Sequence, residues 1–264
     1  MRFQPSTYGY QSKCREAVRF LREVAQGVIE KRQEESKTGE DQHNDMLSRI
    51  LLLPQKDSRT TMEDMIDHFI SFVVGGEETD STHLTYLLTA ITSHPEVEKR
   101  IVAEIDEVLG SRCAVKYEDL AKLTYLEQAS KEALRLHPPQ PAVTRMANEN
   151  ITLGGYHIPA KTSIMVNVHV LHHHIKYWDD PEKFDPDRFA PSNHEEVEHY
   201  AYIPFSLGRH TCIGMHFAQI QAKMLLARLF QTFKLELLPG QDLKEVEHMT
   251  LRPKNGTRCT LTLR

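Results

Sequence analysis

The segment "PFSLGRHTCIGMHFAQIQAKMLLARLF", residues 204–230, places one cysteine between a glycine-containing loop and a long amphipathic stretch. Cys212 follows Gly208 and precedes Gly214, and no second cysteine is nearby. A thiol at a helix N-terminus lies at the positive end of the helix dipole, beside backbone N–H groups that lack partners. Both effects favour the thiolate. The segment therefore predicts a thiolate that serves as a nucleophile or as a metal ligand.

The glycines on either side of Cys212 favour the metal ligand. Without side chains at 208 and 214, a broad and flat group can approach the backbone. Haem suits such a site because its iron takes one protein thiolate on its proximal side. His210, two residues before the cysteine, could meet an acidic group on the edge of that cofactor. An inert, buried cysteine at a helix start is the alternative that the loop alone leaves open.

Length and composition describe an ordinary globular protein of 264 residues, sufficient for one large domain or two small ones. The net charge of −5 argues against a general nucleic-acid binder.

The four cysteines form no C-x-x-C pair, so neither a zinc site nor a disulfide framework is indicated, and a reducing compartment is the simpler interpretation. Consecutive histidines in "HVLHHHIK" cannot all face one ion, which disfavours zinc there. The N-terminus has no signal-peptide pattern, and the apolar runs are too short to span a bilayer.

Helical periodicity dominates the first half of the sequence. The charged stretch 30–45 predicts a solvated turn or loop, and Pro54 is expected to stop a short helix. Thr61 and Asp64 form a capping-box pattern that opens a long helix. The predicted helices cover about 14–28, 45–53, 61–94, 95–109 and 125–136.

The second half predicts a small β part. Residues 143–170 alternate in polarity around a Gly-Gly pair, which is typical of short strands and a hairpin. A proline-rich irregular stretch follows at 179–193, then a helix at 213–230. "FKLELL" and "RCTLTLR" are predicted terminal strands. The fold class is therefore mainly α with a small β part.

The long helix carries "VVGGEETDST" at residues 73–82. Each of its two adjacent glycines costs about 1 kcal/mol relative to alanine, which favours a close approach or a local opening of the helix. In an opened helix the Thr79 hydroxyl could bond to something other than its own backbone, and Glu78 could pass protons inward. A polar face with an accidental weak point is the alternative.

Glu132 and Arg135 in "KEALRL" lie three residues apart on one helix face, where an ion pair contributes a few tenths of a kcal/mol. Arg188 in "DPDRF" is a candidate third member. We expect a structural role for this group. Trp178 is expected to pack in the interior.

Four motifs together resemble the cytochrome P450 monooxygenases. "FSLGRHTCIG" resembles their haem-binding loop F-x-x-G-x-[RH]-x-C-x-G, and "GGEET" resembles their oxygen-activating helix motif [AG]-G-x-[DE]-T. "EALR" is similar to their E-x-x-R, and "FDPDRF" to the segment whose arginine completes that pair. The motifs occur in the family's order. The resemblance implies the C-terminal portion of the P450 fold, as a single partial domain over residues 1–264 with the haem-binding loop at 205–214.

The resemblance also implies a role for each matched residue. Cys212 would be the axial thiolate of the haem iron, and Thr79 with Glu78 would steer protons to dioxygen. Histidine at position 210 is an allowed variant of the arginine that many members carry, and its charge depends on pH. Gly75, Gly76 and Gly214 would allow the haem to approach closely, and Arg145 and His210 would contact its propionates. Phe205 would shield the sulfur. The cysteine loop would be supported by Glu132, Arg135 and Arg188.

The implied function is haem-dependent insertion of one oxygen atom from O₂ into a sterol or similar lipid, with electrons from NADPH–cytochrome P450 reductase at the endoplasmic reticulum membrane. Several segments are most similar to the family's cholesterol-hydroxylating members. Arg209 and Lys223 would belong either to a surface that receives the electron donor or to a solvated face.

Because the family's N-terminal half supplies the membrane anchor and most substrate loops, we expect a fragment, a truncated isoform or an incomplete gene model. A catalytically inactive fragment is the alternative function. An enzyme with Cys212 as nucleophile explains neither the glycine pair nor "EALR".

Overall fold

The computed structural model describes residues 5–38, 44–193, 200–247 and 250–264. The chain divides into two compact units, residues 1–77 and 78–264. Helices dominate, with four two-stranded antiparallel sheets in the described ranges, which confirms the predicted fold class. No helix in the described part of the chain is both long and apolar enough to cross a membrane.

The first unit consists of α1 (Pro5–Thr38), α2 (Met46–Leu51), α3 (Leu53–Lys56) and the start of α4 (Met62–Ser93). Its core residues are Ala25, Ile29, Leu47, Ile50, Met65 and Ile66.

One prediction about a helix end in this unit was wrong. The charged residues after position 30 continue α1 to Thr38, because they are good helix formers and pair along the helix, as Arg32 and Glu35 do at 3.4 Å. The rest of that predicted loop, 39–43, lies outside the described residues. The short helix that was predicted to stop near Pro54 ends at Leu51, and Pro54 lies in the first turn of α3, where its missing N–H costs nothing.

The capping box at the start of α4 is confirmed. The Thr61 hydroxyl accepts from the Asp64 N–H at 3.2 Å, and the Asp64 carboxylate accepts from the Thr61 N–H at 2.8 Å. The helix then continues unbroken from Met62 to Ser93, so the local opening expected at the glycine pair is absent. Outside the helix's own backbone, a Cβ added at Gly75 or Gly76 would meet no described atom within 4 Å, so packing does not require glycine at either position.

The second unit contains the rest of α4 together with α5 (Pro95–Leu109), α6 (Thr124–Leu136), α7 (Val168–His172) and α8 (Met215–Thr232). Helix α5 covers the predicted range 95–109, with Pro95 in its first turn and Gly110, with φ +56°, directly after it. The start of α8 lies two residues after the predicted one. The helices enclose a core that includes Leu87, Ile91, Ile101, Ile105, Leu126, Leu226 and Phe230.

The strands β1 (Ala142–Met146) and β4 (Ser163–Asn167) pair antiparallel, with Arg145 opposite Ile164. Between them β2 (Ile151–Leu153) and β3 (Tyr156–Ile158) form the predicted hairpin around the Gly-Gly pair. The predicted continuation of a strand to residue 170 is wrong, because the Asn167 side chain accepts from the Val170 N–H at 2.9 Å and caps α7.

The terminal strands β5 (Phe233–Leu237) and β8 (Cys259–Leu263) pair as predicted. The short hairpin of β6 (Glu245–Glu247) and β7 (Leu251–Pro253) was not predicted. Its strands have three residues each, too few for a clear alternation.

Candidate functional site

The cysteine loop reverses direction sharply before α8. The Cys212 N–H donates to the Phe205 carbonyl at 2.9 Å and closes the loop across a 3₁₀ turn at Gly208–His210. Ser206 and Gly208 have φ of +61° and +70°, the left-handed region in which glycine carries no steric cost. The loop therefore presents Cys212 at the entrance to α8, as the sequence predicted.

Cys212 is exposed, and so are three apolar residues close to it in the sequence. The exposed fractions of Leu207, Ile213 and Phe217 are 41%, 82% and 62%. A Cβ added at Gly214 would lie 3.7 Å from Sγ, so the glycine keeps the space beside the sulfur open. A lone thiol among exposed apolar groups fits the thiolate ligation and the flat apolar face of haem. The inert buried cysteine is excluded by this exposure.

Arg145 and His210, the predicted propionate contacts, both lie at this loop. Arg145 on β1 donates through Nη2 to the Ser206 hydroxyl at 3.0 Å and through Nη1 to the Thr144 carbonyl at 2.9 Å. His210 ends the 3₁₀ turn and is exposed. Two groups that can bind carboxylates are therefore available beside an apolar, thiol-bearing surface. The bond through Ser206 was not predicted, and no sequence pattern marks it.

The predicted group of Glu132, Arg135 and Arg188 is assembled. Arg135 binds Glu132 with two parallel bonds, Nε to Oε2 at 2.7 Å and Nη2 to Oε1 at 2.8 Å, and both side chains are fully buried. Arg188 Nε lies 3.3 Å from Glu132 Oε1. Arg135 also donates to the carbonyls of His172 and Pro181 at 2.9 and 2.7 Å. This geometry supports the structural role expected for the group.

His172 joins this group to the chain segment before the cysteine loop. Its Nε2 accepts from the Ile203 N–H at 2.9 Å, so its Nδ1 carries the proton and donates to the Arg135 carbonyl at 3.2 Å. Burial lowers the pKa of His172 to about 3. His172 is thus a neutral structural residue. Among the described residues, no three metal-binding side chains form a cluster that could hold an ion. Its role was missed because the histidine run gives no signal of it.

Trp178 is buried, and its ring centroid lies 5.1 Å from the Arg135 guanidinium carbon. The packing role predicted for it is confirmed.

The acid of the "GGEET" motif contacts the C-terminal segment. Glu78 Oε1 accepts from the Thr250 hydroxyl at 2.9 Å and lies 3.5 Å from Arg252 Nη1. Thr79 is partly buried on the same helix. Thr250 directly precedes β7 and Arg252 lies within it, and neither carries a motif that could have indicated it.

The ammonium group of Lys223, one of the two predicted surface cations, is bound by other groups of the protein. Its Nζ donates to the Leu120 carbonyl at 2.9 Å and to the Glu127 carboxylate at 2.8 Å, and its side chain is 11% exposed. Lys223 therefore ties α8 to α6 and is not part of a solvated face, while Arg209 is exposed.

A helical fold that presents one exposed thiol on a glycine loop is typical of a haem-thiolate protein. The cytochrome P450 family model matches residues 3–260. Cyclooctat-9-en-7-ol 5-monooxygenase of Streptomyces melanosporofaciens is 35% identical over 225 residues, which are 84% of this chain and 48% of that protein. Cytochrome P450 4Z1 of Homo sapiens is 32% identical over 244 residues, which are 89% of this chain and 48% of that protein.

A crystal structure of a cytochrome P450 (CYP102L1) superimposes with a TM-score of 0.87 at 30% identity, over 97% of this chain and 58% of that one. The chain belongs to the cytochrome P450 family, whose members are haem-thiolate monooxygenases. It spans about half the length of these two curated relatives.

Proposed function

We propose that this chain is the haem-binding and oxygen-activating part of a monooxygenase that inserts one oxygen atom from O₂ into a sterol or similar lipid. The observation that carries the proposal is the exposed Cys212, presented by a closed loop in a stretch of sequence where Leu207, Ile213 and Phe217 are also exposed. Haem, when bound, supplies the activation of dioxygen. Cys212 would hold its iron, and Arg145 with His210 would bind its propionates. Gly214 would admit its face.

The proton chemistry is assigned to Glu78 and Thr79 on α4. Glu78 is a carboxylate with 22% of its side chain exposed, so it can exchange protons with water while it remains fixed to the protein. Thr79 follows it by one residue and offers a hydroxyl that can donate or accept. We assign Glu78 to proton uptake and Thr79 to proton delivery toward the reacting oxygen. Phe205, half-buried in the loop, is assigned to shielding the sulfur from water.

A sterol is proposed as the substrate because four segments resemble those of cholesterol 24-hydroxylase, namely residues 16–35, 104–112, 117–139 and 233–241. The same resemblance supports NADPH–cytochrome P450 reductase as the electron donor and the endoplasmic reticulum membrane as the location. A monooxygenase among the relatives, named for its action on cyclooctat-9-en-7-ol, supports the reaction type.

The test is an absorption spectrum of the haem-reconstituted chain, reduced under carbon monoxide. Thiolate ligation gives a strongly red-shifted Soret band, which we expect for the unaltered chain and for Cys113→Ser, a control at another exposed cysteine. Cys212→Ser should lose the band. A red-shifted band that survives Cys212→Ser, or that Cys113→Ser also abolishes, would refute the assignment of the ligand.

The second candidate is a form that binds haem but does not turn over. It is favoured by the share of the relatives that the chain spans, 48% in each of the two curated proteins above. Incubation of the haem-bound chain with the reductase, NADPH and cholesterol separates the two functions. A hydroxylated sterol in the extract supports the first, and a red-shifted Soret band without any oxygenated product supports the second.

A further inference from the structure

The C-terminal segment makes matched contacts with one face of α4. The hydroxyls of Thr82 and Thr250 lie 3.2 Å apart, and those of Thr89 and Thr257 lie 2.9 Å apart. Both pairs are separated by 168 positions, so the segment contacts the helix at two points, Thr82 and Thr89, which are two helical turns apart. Glu78 stands one helical turn before Thr82 and therefore on the same face. Only the first pair lies beside this carboxylate.

The direction of the hydrogen bonds around Thr250 is determined by its single proton. A carboxylate only accepts, so the Thr250 hydroxyl donates to Glu78 Oε1 at 2.9 Å. The Thr250 oxygen must then accept from Thr82, which makes both donors point toward the carboxylate. Thr250 is 1% exposed, so water does not compete for these bonds. The Arg252 guanidinium adds a positive charge 3.5 Å from the same oxygen.

We propose that Thr250 and Arg252 are positioning residues for Glu78, which hold its carboxylate in one orientation on α4. The proposal rests on the proposed function for the part that Glu78 plays in proton uptake. A free glutamate side chain samples many rotamers, and fixing it removes an entropy cost from the proton-transfer step. Thr250 fixes the oxygen with a buried hydrogen bond, while Arg252, which is 45% exposed, holds the negative charge from the solvent side.

The first test is a double-mutant cycle on the unfolding of the 264-residue chain in urea, which needs no haem. Thr250→Val keeps the shape of the side chain and removes the hydroxyl, and Glu78→Ala removes the acceptor. We expect the two changes to be non-additive by about fivefold in the unfolding equilibrium constant, because the residues are in contact. Thr257→Val is the matched control, since it removes a hydroxyl that bonds α4 at Thr89, far from the carboxylate. Combined with Glu78→Ala it should be additive within about twofold.

The second test measures the oxygenated sterol formed per NADPH consumed by the haem-bound chain with the reductase. A positioning role predicts that Thr250→Val lowers this ratio by about tenfold, a loss within the range of general acid–base catalysis. Thr250→Ser, which keeps the hydroxyl, should restore the ratio, and Thr257→Val should leave it unchanged. Arg252→Gln should lower it less, with an effect that shrinks as salt is added.

The two tests separate the failure of this proposal from the failure of the proposed function. Additive changes in the Thr250–Glu78 cycle would overturn the positioning role, whatever the activity. Equal losses in product ratio for Thr250→Val and Thr257→Val would also overturn it, since a general loosening of the segment would explain both. If the unaltered chain makes no oxygenated product, the proposed function fails, and the cycle alone decides whether Thr250 orients Glu78.

Discussion

Acid should destabilise the second unit through His172. Both of its ring nitrogens are engaged, with Nε2 accepting from the Ile203 N–H, so a second proton would break that bond and place a charge in the interior next to Arg135. In the folded chain its pKa is about 3, against 6.5 for an unperturbed histidine. Because the pKa is lowered by folding, the unfolded chain takes up the proton first as the pH falls. The stabilisation is complete above pH 6.5 and is lost between pH 6.5 and about 3.

The magnitude follows from these two pKa values. At pH 5 the unfolded histidine is almost fully protonated and the folded one is neutral. The resulting loss in the free energy of unfolding between pH 7 and pH 5 is about 2 kcal/mol for this residue alone. His83 is lowered in the same direction by burial, to about 4, and adds its own loss over the same range. The contribution of His172 must therefore be obtained from a variant.

The assay is urea unfolding at pH 7 and pH 5, followed by the fluorescence of Trp178, the single tryptophan, which packs against Arg135. In His172→Gln the amide oxygen can still accept from the Ile203 N–H, and nothing titrates at that position. We expect the loss between the two pH values to be smaller in this variant by about 2 kcal/mol. His157→Gln, at an exposed histidine of β3, should show the unaltered loss. An equal pH dependence in His172→Gln and the unaltered chain would refute the reasoning.

Two further changes test the supports of the cysteine loop. Glu132→Ala should lower the free energy of unfolding by about 3–5 kcal/mol, because it leaves the Arg135 charge buried without its partner. The control is Glu236→Gln, at an exposed ion pair with Lys234, which should leave the urea midpoint unchanged. A small effect of Glu132→Ala would mean that the carbonyl groups around Arg135 suffice. Gly208→Ala should cost about 1–2 kcal/mol because its φ is +70°, and calorimetry that finds no lower melting temperature would show that the loop adapts.

Much of the helical architecture was predictable because its signals are local. The Thr61–Asp64 capping box, Pro95 in a first turn and Gly110 after a last turn each satisfy backbone groups within a few residues. The end of α1 was not predictable in the same way. A run of charged residues suits both a solvated loop and an exposed helix, and the pairing of Arg32 with Glu35 that favours the helix exists only once the helix has formed.

The residues of the candidate site also divide into those that a local sequence signal indicated and those that none did. Cys212 and the Glu132–Arg135 pair were proposed from motifs, and Arg145 from the family resemblance. Ser206 was not, nor were the residues that hold Glu78. These partners come from segments distant in sequence, and a serine or threonine in a loop carries no pattern that distinguishes a buried hydrogen bond from a solvated one. Lys223 was misjudged for the same reason, since its partner Glu127 lies 96 positions away.

The ion pair of "EALR" has a different energetic importance in the folded chain from the one that its sequence spacing suggests. As neighbours on an exposed helix, Glu132 and Arg135 would contribute a few tenths of a kcal/mol. In the fold both are completely buried, and the cost of their desolvation is offset only because Arg135 also satisfies distant carbonyl groups. Removing one partner is therefore far more costly than the local pair suggests.

His172 belongs to the same buried region, whose low polarity strengthens these hydrogen bonds and keeps the imidazole neutral. When the bond between His172 and Ile203 opens, nine positions before Cys212, the freed imidazole can take up a proton, so acid should favour opening of the cysteine loop before it unfolds the helices of the core. Hydrogen exchange at pH 5 should accordingly show Cys212 losing protection before Ile101, which is fully buried in the middle of α5. Simultaneous loss would mean that loop and core form one cooperative unit.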